Sequence, residues 1–145
     1  DIATAVSSGG TKRKIAKHKA PENDEAKKLR QASAAKATAL RRCKSLLDKA
    51  ALEANSVRAD LQKMTEKYPE PMIAFYRDEI DTFEHSLEST QKQFAEEATK
   101  VEATKPSVEQ FTMTTGAIDG HIKNLERDYK RFREGVASDI RKLTS

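Results

Sequence analysis

Cys43 is the chain's one cysteine, and Arg41, Arg42 and Lys44 flank it. Nearby cations lower a thiol pKa, so the residue types allow an activated thiolate. Its spacing argues otherwise. Cys43 falls on an apolar seam that faces a core, no histidine is close in sequence, and free cysteine is commonly buried. A packed, inert thiol is the expectation.

The histidines are His18, His85 and His121. Di-iron helical proteins use inward Glu-x-x-His motifs. Here the residues three before are Ile15, Thr82 and Ile118, so the motif is absent. Asp81 and His85 share a helix face and could hold a surface metal, but His85 lies off the apolar seam and reads as solvated. No metal or cofactor is expected. Gly9-Gly10-Thr11-Lys12 lacks the strand and spacing of a phosphate loop. Asp78, Glu79, Asp81, Glu84 and Glu88 offer carboxylates, but paired catalytic acids need a pocket that splits their pKa values. A solvated face, or a surface for a basic partner, explains them. Lys123–Arg133 interleaves cations with Tyr129 and Phe132, the composition of a base-stacking strip. Both aromatics fall on the seam and should be core. No constellation points to catalysis.

Charge is segregated instead. Residues 1–49 hold 13 basic and 5 acidic side chains, and residues 50–145 hold 14 and 18. The basic excess sits in Lys12, Arg13, Lys14, Lys17 and Lys19, then in Lys27, Lys28, Arg30, Arg41 and Arg42. These ten are the candidate partner-binding residues. Such a patch suits an acidic docking surface on a larger protein complex, or phosphate on a nucleic acid.

The elements that carry these residues are helices. The 145 residues suit one domain, with 20 alanines, 5 glycines and no tryptophan. Leu, Ile, Val and Phe total 26, but the net charge is only +4, short of what disorder requires. Alanine-rich, mixed-charge composition favours helix and excludes a disulfide scaffold or a large α/β core. No apolar run reaches the ~20 residues of a membrane span. The composition suits a soluble chain in a reducing compartment, intracellular or organellar.

Pro21, Pro69, Pro71 and Pro106 divide the chain into a basic arm and three proline-free stretches. The first alternates steps of three and four through Leu40, Cys43, Leu47, Ala50, Ala54, Val57, Leu61, Met64 and Tyr68. The seam is weaker upstream, at Ala26, Leu29, Ser33 and Lys36. The second runs through Ile73, Tyr76, Ile80, Phe83, Leu87, Thr90 and Phe94. The third runs through Val108, Phe111, Thr115, Ile118, Ile122, Leu125, Tyr129, Phe132, Val136, Ile140 and Leu143, with one irregular step before Ile140. These are heptad seams. Asn23 or Asp24 caps the first helix, Pro71 opens the second, and Ser107 with Gln110 forms a capping box for the third. Gly116 and Gly120 allow close approach of another helix, or mark a bend or a weak turn.

The expectation is an all-α chain: an elongated antiparallel three-helix bundle or coiled coil with an extended basic N-terminal arm. The arm spans 1–21 and the bundle 22–145, with helices at about 23–68, 71–105 and 107–143. In layout alone this is similar to a spectrin-type three-helix repeat, without that family's tryptophans. The expected function is a non-catalytic structural or linker subunit, docked through the arm and the start of the first helix. A nucleic-acid-associated protein is the alternative. A peripheral membrane-surface protein ranks below it, because the arm lacks large apolar anchors. Heptad seams also leave self-association open.

Overall fold

The computed structural model describes residues 23–100 and 107–145. Those residues are helical, with turns at the corner and no strand among the described residues, so the chain is all-α. It divides into two compact units, Asp1–Arg30 and Gln31–Ser145. The arm and the expected helix end at 101–105 lie outside the described residues.

Helix α1 spans Asp24–Met64. Asn23, rather than Asp24, is its cap: the Asn23 Oδ1 accepts from the Ala26 N–H at 2.7 Å. The acidic first turn, Asp24 and Glu25, suits the positive end of the helix dipole. The helix ends four residues before the expected Tyr68. Thr65 Oγ1 turns back to the Gln62 carbonyl, and the Lys67 and Tyr68 N–H groups close on the Met64 carbonyl. Pro69 keeps Tyr68 out of the helical region, and the three residues before Tyr68 form a turn.

Helix α2 spans Glu70–Lys100. The Pro69 carbonyl accepts from Met72 and Ile73, so Pro71 sits one residue further inside than expected. The missing proline N–H costs nothing there, because first-turn donors have no helical acceptor. Helix α3 spans Val108–Phe132, and extended Ser107 caps it by accepting from the Gln110 N–H at 3.1 Å. The chain then makes one π-helical turn, Arg133–Ala137, and finishes in α4, Ser138–Thr144.

All of these elements share one core. Cys43, Ala50, Val57, Met64, Ile73, Ile80, Ile118 and Ile140 are each fully buried. Phe83 stacks on Phe132 with centroids 4.2 Å apart and on Tyr129 at 6.3 Å. Cross-helix contacts set the directions. Phe83 meets Phe132 while Ser86 donates to Asp128, so α2 runs opposite to α3. Lys36 lies over the Phe111 ring, Arg141 meets Glu53, and the Tyr68 hydroxyl donates to the Leu143 carbonyl. The α3–α4 strand of helix therefore runs with α1.

The seam departs from its expected phase in three places. On α1, Ala39 is buried where Leu40 was expected, and Leu40 is half-buried. On α3, Thr114 is buried instead of Thr115, which turns its hydroxyl to the Phe111 carbonyl. A straight helix drifts by ~20° per heptad against a 3.5-residue seam, enough to exchange neighbours at the ends of long helices. The third departure is Ala137, fully buried where Val136 was expected. The π turn inserts one residue before it and so absorbs the irregular step of the sequence.

Two arginines bind helix to helix. Arg58 Nη2 on α1 lies 2.6 Å from both Asp81 Oδ1 and Glu84 Oε1 on α2. Arg141 Nη1 on α4 lies 2.7 Å from Glu53 Oε2 on α1, a buried oxygen with no other partner among the described residues. Removing the guanidinium strands that oxygen, which costs about 1–3 kcal/mol. Urea unfolding should therefore show Arg141→Ala losing about that much. The double variant with Glu53→Gln should lose less, because it leaves no buried charge unpaired.

Candidate binding surface

The candidate cations that fall among the described residues all lie on α1. Lys27 and Lys28 are exposed in its first two turns. Arg30 follows them, also exposed. Arg41 and Arg42 are exposed further along, and Arg41 donates to Thr38 Oγ1 at 3.2 Å. Lys12, Arg13, Lys14, Lys17 and Lys19 lie outside the described residues.

Arg41 and Arg42 stand on the rim of an open groove of ≈ 390 Å³ between α1 and α3. Ser45 and Lys49 extend the α1 wall, Leu46 and Ile122 form the apolar floor, and Glu126 is the single acid on the α3 wall. Arg42 and Lys49 have no carboxylate partner among the described residues, so their charge is free to meet an external anion. Arg42 also borders a second groove of ≈ 420 Å³ with Ala34, Ala35, Ala39 and Thr115. The sequence marked Arg41 and Arg42 as binding residues. Lys49 stands seven residues beyond Arg42 on the same face of α1, a spacing that could have marked it as their neighbour.

The residues that had suggested other chemistry resolve differently. Cys43 is fully buried, and burial pushes its thiol pKa up despite the flanking cations. Those cations point to solvent while the sulfur points inward, so desolvation wins. The neutral thiol is then favoured by folding. Its contribution is complete below the unfolded thiol's pKa and is lost as pH rises through the higher folded value. Between about pH 8 and 11, the unfolding free energy of the native chain should fall more steeply than that of Cys43→Ala. Equal slopes would show that the sulfur is not desolvated.

Asp81 and Glu84 are held by Arg58, and they raise its already high pKa chiefly through those hydrogen bonds. Both carboxylates are ligands of that guanidinium. His85 is exposed and lies 3.8 Å from Glu88. Among the described residues, no three His, Cys, Asp or Glu side chains converge as metal ligands. Tyr129 and Phe132 are buried in the core, as their seam positions implied. Gly116 and Gly120 face open space: a side chain at either would meet nothing within 4 Å, so no helix among the described residues uses their smallness. Among the described residues, no helix is long and apolar enough to cross a membrane.

In comparison with known proteins, the chain matches no family model, no curated protein and no solved structure.

Proposed function

We propose that the chain is a non-catalytic structural or linker subunit of a larger protein assembly. It docks through its basic N-terminal arm and the start of α1, and its helices form an elongated antiparallel three-helix bundle that serves as a spacer. The observation that carries this reading is the Arg41–Arg42–Lys49 wall over an apolar floor. Three cations around Leu46 and Ile122 favour an amphipathic acidic segment, which supplies both carboxylates and apolar side chains. A phosphate backbone would use the cations and leave the floor uncovered.

The test is capture from a native extract on the immobilised full chain, with and without nuclease and across a salt series. A defined set of proteins that survives nuclease and is released by salt supports the reading. Captured material that vanishes with nuclease overturns it in favour of nucleic-acid binding, whose affinity falls steeply with salt.

A further inference from the structure

A third groove lies on another face, between α2 and the end of α3. It is open, measures ≈ 440 Å³, and has an apolar floor of Phe83, Phe132 and Val136. Its walls carry charge of both signs; Asp128, on the α3 side, accepts from Ser86 and lies 3.5 Å from Arg127. Glu79 stands on the α2 side and Arg131 on the α3 side, and neither has an ion-pair partner among the described residues. Gly135 opens the groove at the π turn. A side chain there would meet nothing within 4 Å, so internal packing does not require glycine. Interior glycine weakens a helix, which makes the open space above it costly unless something outside uses it. Phe75 lies on the same face of α2 as Glu79 and Thr82, at helical spacing, and is 58% exposed. The groove thus has a hole, a nearby aromatic knob and two unpaired charges of opposite sign.

We infer that this face is a self-complementary interface, and that its occupant is a second copy of the same chain. A two-fold axis parallel to the helices sets α2 of each copy against α3 of the other, running antiparallel. That operation brings each Glu79 to the other copy's Arg131 and each Phe75 toward the other copy's Gly135–Val136 end. Both contacts occur twice, as an isologous interface demands. The four facing helices then close over the two phenylalanine stacks. A partner of one charge sign would match one wall and be repelled by the other, whereas a second copy matches both. The surface is distinct from the Arg41–Arg42 groove, so the inference stands apart from the docking reading above.

Sedimentation velocity on the full chain, from about 1 to 500 µM at low salt, tests it. A concentration-dependent species of twice the 16.2 kDa monomer mass is expected. Glu79→Arg alone or Arg131→Glu alone should weaken dimerisation by about tenfold or more, since each reversal acts twice. The double reversal should restore it. Phe75→Ala should weaken it without changing the melting midpoint at concentrations where the chain is monomeric, because Phe75 is exposed in the single chain. A chain that stays monomeric throughout overturns the inference. So does a dimer indifferent to both single reversals, which would have to form through another face.

Discussion

Leu125→Ala is expected to lower the unfolding free energy by about 2–5 kcal/mol, whereas Leu52→Ala should leave it within about 0.5 kcal/mol. The two substitutions are chemically identical and both sit in helices. Leu125 is 1% exposed at the centre of the α3 seam, and Leu52 is 71% exposed on α1. Truncating Leu125 loses the transfer free energy of its removed carbons and leaves a cavity that three converging helices close only in part. A domain of this size has only about 5–15 kcal/mol in total, so the first variant should have a clearly lower denaturation midpoint. Its dependence on denaturant should be unchanged, since both chains expose nearly the same surface on unfolding. Equal losses would mean that the shared core is not organised around the seam.

A second large effect concerns register. One alanine inserted after Lys123 rotates everything beyond it by about 100°. Leu125, Tyr129 and Phe132 then leave the core together, and polar neighbours take their places. The cost should exceed about 4 kcal/mol, enough to abolish most of the cooperative transition. Deleting Gly135 should do the opposite. The π turn Arg133–Ala137 already holds one residue more than an α-helical turn requires. Without Gly135, Ala137 and Ile140 fall four and seven residues beyond Phe132, which is regular seam spacing. The turn should close into α-helix, and stability should hold or rise by about 1 kcal/mol, because an interior glycine is gone. Thermal melts followed by circular dichroism distinguish the two variants directly. An unfolded Gly135 deletion would show that the π turn is needed for the fold and does not merely accommodate the extra residue.

The sequence made the all-α class legible because three stretches each carry an apolar period that only a helix can bury. Ser107 was readable as a cap because its chemistry is local. Arg58 was not readable as a clamp for Asp81 and Glu84, which lie 23 and 26 residues away. Their meeting depends on how α1 and α2 rotate about their axes, and a one-dimensional period does not carry that angle. The same gap explains Lys36. It sits at a weak seam position, yet it is buried with its ammonium 5.9 Å from the Phe111 ring centroid. A long alkyl stem lets lysine fill apolar space while its charge finds an aromatic face. Ala137 displaced Val136 because the irregular step near Ile140 is resolved by widening one turn, an option that heptad counting leaves out. In the binding surface, Arg41 and Arg42 were legible as charge. Lys49, Leu46 and Ile122 became part of a groove only through the pairing of α1 with α3.

The docking account requires that the charge at Arg41 and Arg42 serve a partner and not the fold. The most direct measurement is capture by the double variant Arg41→Glu/Arg42→Glu, run beside the native chain and paired with its thermal melt. Both side chains are exposed, so the melting free energy should change by less than about 1 kcal/mol. Nuclease-resistant capture should be lost while the melt is retained. Full capture by the charge-reversed chain, with an intact melt, would contradict it.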